Sequence, residues 1–235
     1  ASAEKLRLPG DLRLQSLTGR TAMLNLSATE LIPRLLTLVI ALTLHEYAHA
    51  RAAAFFGDDT PRLAGRLTLN PLRHLDPLGS LMLVVAGYGW AKPVPINPAI
   101  LRQRSRAAVM LVSLAGPFSN LLLALLASLP YHLLRASAGA SSGALNLLIQ
   151  FLISFVVLNV TLCVFNLLPV APLDGEKVLE YLLPEPARRA LYAVRPYGMF
   201  ILLALVFVLP MLGVDAFGAL VRAPVLAISH FLLGL

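Results

Sequence analysis

The stretch LLTLVIALTLHEYAHARAAAFF, Leu35–Phe56, decides how this chain folds. Leu35–Leu44 carries no charge, and the run continues through His45, Glu46 and His49 to Phe55-Phe56 before Gly57 stops it. With the residues before it, the apolar segment covers about Ser27–Phe56. At 1.5 Å per residue that is roughly 40 Å of helix, enough to cross a bilayer with tilt. Ser27 is placed to cap its start and Gly57 its end.

The rest of the chain has the same character. Of 235 residues, 58% are hydrophobic and 13% charged, and the mean hydropathy is +0.78. Soluble domains carry about 25% charged and about 45–50% apolar residues, so this chain has too little charge to cover a soluble surface. Ala107–Leu134 and Ala144–Leu168 are two further uncharged spans, the first with a soft break expected at Gly116-Pro117 and the second ending at Pro169 and Pro172. Tyr197–Val214 and Ala216–Leu235 are weaker hydrophobic segments, the last interrupted by Arg222. Between the first two spans, Pro77–Gly89 is too short to cross and reads as re-entrant or interfacial. The prolines of GWAKPVPINP, Gly89–Pro98, favour an extended edge. The expected fold is an all-α polytopic membrane protein with about four to five transmembrane helices and a re-entrant or extended membrane-associated segment between the first two.

Lys5, Asp11, Arg13 and Arg20 interrupt every apolar run in the N-terminal region, so residues 1–26 are expected to be an arm or an expression remnant. The single cysteine, Cys163, excludes an intrachain disulfide and a cysteine zinc cluster. A net charge of +7 could indicate nucleic acid, but the basic residues fall mostly in loops between apolar segments. Anionic lipid headgroups and the positive-inside bias explain them there, and no nucleic-acid partner is expected. Loops 57–105 and 170–196 are separated by two spans and share one side, expected to be cytoplasmic, with the uncharged Ser137–Gly143 loop opposite. Lys5, Arg7, Arg13 and Arg20 of the tail count the other way, and the longer loops outweigh them.

His45-Glu46-Tyr47-Ala48-His49 is the sharpest chemical signal. Residues four apart on a helix differ by about 40° around the axis, so both imidazoles project from one face and can hold one zinc ion. Glu46, about 100° from His45, flanks the metal as a general base would. HExxH alone is a weak pattern, but ionisable residues inside a span cost about 2.5–3.5 kcal/mol on insertion scales and persist where they pair or work. The bland alternative is a polar trio hydrogen-bonded to neighbouring helices. A catalytic zinc needs a third protein ligand, and Asp76, Asp174, Glu176 and His74 remain as candidates. Asp174 is favoured because it follows the third span directly, after Pro169 and Pro172 unwind the chain in Asn166-Leu-Leu-Pro-Val-Ala-Pro-Leu-Asp174-Gly175. His74 and Asp76 read better as loop-packing residues, and Asn120 as an interhelical hydrogen bond.

HEYAHA, AGPFSN (Ala115–Asn120), GWAKPVPINP and NLLPVAPLDG together resemble the site-2 protease family of intramembrane zinc metalloproteases, peptidase family M50. The match covers roughly residues 27–183, expected to be the catalytic core, with 184–235 as C-terminal hydrophobic helices. The most similar members are compact prokaryotic ones without PDZ or CBS domains. The resemblance implies one Zn2+ per chain on His45, His49 and Asp174, with Glu46 as catalytic base and Asn166 as a polar helper near the scissile carbonyl. It also implies cleavage of single-span transmembrane substrates within the cell membrane, with the active site toward the cytoplasm. A transmembrane substrate hides its carbonyls in helical bonds and must unwind; Lys92, Pro93, Val94, Pro95 and Ile96 are expected to hold it by strand addition. The competing reading is a catalytically inactive or metal-carrying membrane protein on the same fold. A soluble HExxH protease is excluded by hydropathy.

Overall fold

The computed structural model describes residues 28–86, 89–136 and 143–235. The expectations for residues 1–26 as an arm, Ser27 as a cap and most of the Ser137–Gly143 loop lie outside the described residues. The described residues contain no strand, and their single β-bridge joins Leu75 to Ala91.

Helix α1, Ala28–Phe55, carries the HEYAH sequence and ends as expected at Gly57, whose φ of +85° suits a residue without a Cβ. The connection that follows holds α2 (Thr60–Leu63), α3 (Pro77–Ala86) and α4 (Pro98–Arg104). Pro98 opens α4 at its first turn, where no donor is lost, and the Asn97 side chain accepts from the Ala99 and Ile100 amides. The ten residues of α3 do not reach across a bilayer, and the residues from Gly89 to Asn97 form no helix or strand apart from the Ala91 bridge, with Asn97 in an extended conformation.

Two long helices form the centre. Helix α5, Ala108–Ala136, passes through Gly116 and Pro117 without interruption, so the expected break is absent. Apolar surroundings offer the backbone no competing partners, and one missing donor does not end a helix there. Helix α6, Gly143–Asn166, returns to the side where α1 ended. The chain then turns through Leu167–Leu173 into α7, Asp174–Leu182. Residues 173–196, read as a polar connection, are thus mostly helical, with α8 (Glu185–Val194) following α7. Helices α9 (Gly198–Leu203) and α10 (Leu209–Met211) extend α8 into one apolar run, Glu185–Met211. The fourth span therefore begins twelve residues before the expected Tyr197. Helix α11, Ala216–Leu233, is capped by Asp215, which also pairs with Arg222 at 2.9 Å. That ion pair accommodates the charge that interrupted the last segment.

Among the described residues five segments are long and apolar enough to cross a membrane: Leu31–Phe55, Ala108–Arg135, Gly143–Asn166, Glu185–Met211 and Ala216–Leu233. The chain is a multi-pass, all-α membrane protein. One buried cluster joins α5, α6 and α11 through Ala124, Tyr131, Val156, Val160, Val221 and Val225. A second joins α1, α4 and the start of α5 through Ala53, Leu101, Ala108, Val109 and Val112. The second cluster lies one turn from the HEYAH histidines and anchors the end of the bundle on which the site is built.

Candidate metal centre

His45 and His49 point from α1 toward α5, and both are buried, with 4% and 8% of their surface exposed. Three α5 residues spaced four apart meet them. The Asn120 side-chain oxygen lies 2.6 Å from His45 Nδ1, and the Val112 carbonyl lies 2.7 Å from His49 Nδ1. Between them, Gly116 presents no side chain, and a Cβ there would collide with the Nε2 edges of both rings. The helices run antiparallel, so the histidine further along α1 meets the residue nearer the start of α5. The Asn120 amide donates to the Ala41 carbonyl at 3.3 Å and to Asn159 Oδ1 of α6 at 3.0 Å. Asn159 in turn donates to the Phe155 carbonyl of its own helix.

These contacts determine the tautomers. A carbonyl oxygen can only accept, so His49 carries its proton on Nδ1. Asn120 is oriented by its two donated bonds, so His45 does the same. The two Nε2 atoms are left as lone-pair acceptors 3.0 Å apart.

Asp174 completes the cluster from the other direction. It is the first residue of α7, and its Oδ2 lies 3.2 Å from both His45 Nε2 and His49 Nε2. Its position depends on the return after α6. Leu173, buried and extended, precedes it, and a Cβ on Gly175 would strike the Leu167 and Leu168 carbonyls.

Three ligand atoms facing one another at 3.0–3.2 Å are placed as a shared metal ion would need them. Zn–N and Zn–O bonds near 2.1 Å give a tetrahedron with donor separations of about 3.4 Å, close to those found here. The donor set of two imidazoles and one carboxylate suits zinc, and each histidine has the outer hydrogen bond that metal-binding imidazoles make. Among the described residues these three form the group able to hold a metal. The other candidates are placed elsewhere. His74 Nε2 bonds the Thr68 carbonyl, and Asp76 accepts from the Gly79 amide at the start of α3, as loop-packing residues would. Glu176, fully buried, pairs with Lys177 and Arg195.

Glu46 is also buried, and its Oε2 accepts from the Val94 amide at 3.1 Å. Val94 belongs to the extended segment, and Arg66 holds that segment in place. The Arg66 guanidinium donates to the carbonyls of Arg73, Lys92 and Pro93 at 2.5–2.9 Å. Burial lowers the pKa of this group, and the charge of Glu46 opposes that shift. The Lys92 amide donates to the His74 carbonyl, and the Asn97 amide to Asp58. Asn166 sits at the end of α6, where its amide donates to the Leu162 carbonyl.

Asn120 makes the interhelical hydrogen bonds expected of it, but its contact with His45 and the roles of Gly116, Arg66 and the Val112 carbonyl were not found by sequence reasoning. The Val112–Gly116–Asn120 spacing was the available signal, because it repeats the four-residue step of the histidines on an adjoining span.

Three outcomes follow. Gly116→Ala is expected to lower bound metal at least tenfold while the protein remains folded, measured by metal analysis and circular dichroism. Val94→Pro deletes only the donor to Glu46, in a segment already rich in proline. It is expected to reduce kcat by about tenfold with little change in metal content, an amount typical of one charge-assisted hydrogen bond. Arg66→Met is expected to have a similar effect.

The comparisons agree with this geometry. The profile of Peptidase family M50 matches residues 130–209. The chain is 44% identical over 177 residues to YwhC of Bacillus subtilis (strain 168), named as a candidate zinc metalloprotease, covering 75% of this chain and 80% of that one. It is 36% identical over 175 residues to Rip2 of Mycolicibacterium smegmatis (strain ATCC 700084 / mc(2)155), covering 71% and 63%. It is 35% identical over 183 residues to Rip2 of Mycobacterium tuberculosis (strain ATCC 25618 / H37Rv), covering 77% and 68%. Both Rip2 proteins are likewise named as candidate zinc metalloproteases. No solved structure matches the chain. With two imidazoles and a carboxylate converging behind an HExxH helix, and with these relatives, the chain belongs to peptidase family M50.

Proposed function

We propose that this protein is an intramembrane zinc endopeptidase that cleaves single-span membrane proteins within or near their transmembrane segments. The observation that carries this reading is the convergence at 3.0–3.2 Å of Asp174 Oδ2, from α7, on His45 Nε2 and His49 Nε2 of a helix long enough to cross the bilayer. His45, His49 and Asp174 hold one zinc ion. Zinc bound there supplies Lewis acidity toward a peptide carbonyl and lowers the pKa of a water molecule to about 7.

The chain's own groups do the rest. Glu46 accepts the proton of the attacking water and returns it to the leaving amine. The Val94 amide orients the Glu46 carboxylate for that transfer, and Asn120 and Val112 keep both imidazoles in the tautomer that leaves Nε2 unprotonated. Asn166 donates to the developing oxyanion after exchanging its bond to Leu162. Lys92–Ile96 receives the unwound substrate. Pro93 and Pro95 have no donor, and the Lys92 and Val94 amides are engaged. With the Lys92 and Pro93 carbonyls held by Arg66, the segment offers mainly the carbonyl oxygens of residues 94–96, which match the N–H groups a helix exposes on unwinding.

The site opens toward the cytoplasm in this reading. Arg62, Arg66, Arg73, Lys92, Arg102, Arg104 and Arg106 lie between α1 and α5 at the metal end of the bundle. At the other end, Arg34 and Arg135 are the basic residues of α1 and α5. This asymmetry follows the positive-inside rule.

The test compares wild type with Glu46→Gln in vesicles containing single-span substrates. One zinc per chain in both, with cleavage lost by at least about a thousandfold in the variant, is expected for a general base acting with a metal. A chelator that cannot cross membranes should stop cleavage in inside-out vesicles alone. Equal cleavage by Glu46→Gln would refute the mechanism. Metal transport without cleavage would favour the carrier reading.

A further inference from the structure

A cavity of about 750 Å³ lies outside the metal centre at the same end of the bundle. Four cationic side chains line it, Arg102, Arg106, Lys177 and Arg188, against two carboxylates, Glu180 and Glu185. Both carboxylates are already engaged. Glu180 pairs with Arg102 at 2.8 Å, with Arg195, and with the Tyr192 hydroxyl. Burial raises its carboxyl, but the hydrogen bonds from Arg195 and Tyr192 and the charges of Arg195 and Arg102 together hold it below the usual range. Glu185 pairs with Arg188 and Arg189 on its own helix. Arg106, exposed between α4 and α5, has no ion pair among the described residues. The Arg188 Nε atom is buried without a hydrogen-bond partner. Lys177 also pairs with the buried Glu176, which leaves its ammonium two further donors. Four lining cations against Glu180, Glu185 and that one further carboxylate still leave an excess of positive charge, including one buried donor without an acceptor.

Its place indicates what fills it. Val109 and Met110, in the first turn of α5, form part of the wall, so the cavity lies where an apolar span meets the headgroup layer. It is far larger than a phosphate ion, whereas a glycerophosphate headgroup with the start of its acyl chains needs both a cationic and an apolar wall. We infer that this cavity is a specific binding site for the phosphate headgroup of an anionic membrane phospholipid, clamped between Arg106 and Lys177.

The clamp has a mechanical consequence. Lys177 lies three residues after Asp174 on α7, and α7 packs on α5, which also carries Val112, Gly116 and Asn120. A headgroup joining Arg106 to Lys177 ties α7 to the start of α5 and so holds Asp174 against the two histidines. Lipid at this site and metal at the other therefore support each other, as ligands sharing one ordered element must.

The experiment uses the full chain in nanodiscs of phosphatidylcholine, with and without phosphatidylglycerol. Bound phosphatidylglycerol is measured by native mass spectrometry, and zinc retention against a chelator is measured in parallel. Arg106→Gln/Lys177→Gln is compared with Arg104→Gln/Arg189→Gln, which removes the same charge at the same end but outside the cavity. Losing two headgroup cations is expected to weaken phosphatidylglycerol binding roughly 30-fold, and to abolish the lipid's slowing of zinc release. The control pair should retain both. Zinc content before chelation reports whether each variant is folded. Equal loss in both pairs would show diffuse surface attraction and overturn the proposal. Displacement of the lipid by inorganic phosphate at matching concentration, or by an acidic peptide, would overturn the lipid assignment.

Discussion

The site depends on the contact between two histidines on α1 and a bare patch on α5. Two antiparallel helices, each presenting residues four apart, bring His45 to Asn120 and His49 to the Val112 carbonyl, with Gly116 between them. Each Nδ1 is committed to α5, and each Nε2 lies over the bare backbone of Gly116, free to meet Asp174. Inside a membrane such groups are costly unless satisfied. The α5 face satisfies one nitrogen of each ring, and a cation with Asp174 satisfies the other. Asn159 extends the same network to α6, so the three central helices share one chain of hydrogen bonds.

The remaining parts of the site come from irregular segments, each tied down separately. Asp174 arrives from a tight return that needs Gly175 for its close approach to α6. Glu46 is met by Val94 from an extended segment that Arg66 holds through three carbonyls. Irregular backbone at membrane depth is tolerated only where protein or an aqueous cavity satisfies it. Arg66 satisfies it here, although it lies twenty residues from Glu46 in the chain. A hydrolytic site within a bilayer needs both rigidity at the metal and a segment able to receive an unwound substrate. In the proposed function the helices provide the first and residues 92–96 the second.

The features legible in the sequence were those expressed by side-chain type and spacing. Uncharged runs gave the spans, HEYAH gave a helix face with two imidazoles, and Pro169, Pro172 and Asp174 gave a return that could bring a carboxylate back to that face. Contacts made by backbone atoms were not legible. Nothing in the identity of Val112 shows that its carbonyl meets His49, and nothing in Val94 shows that its amide meets Glu46. The polar stretch after Asp174 was misread because its charges neutralise one another. Glu176, Glu180, Arg102 and Arg195 pair in space, so a segment that looks like a solvated connection is instead helical and partly buried. The passage of α5 through Pro117 was missed for a related reason, since a proline signals a break most reliably where water can take up the freed carbonyl.

X-ray absorption at the zinc edge of the purified, metal-replete protein tests the centre most directly. Two imidazole nitrogens and light oxygen donors at about 2.0–2.2 Å are predicted, with one imidazole lost in His49→Ala and an oxygen lost in Asp174→Ala. A protein that takes up no zinc, or a shell containing sulfur or unchanged by both substitutions, would contradict the assignment of His45, His49 and Asp174 as the metal centre.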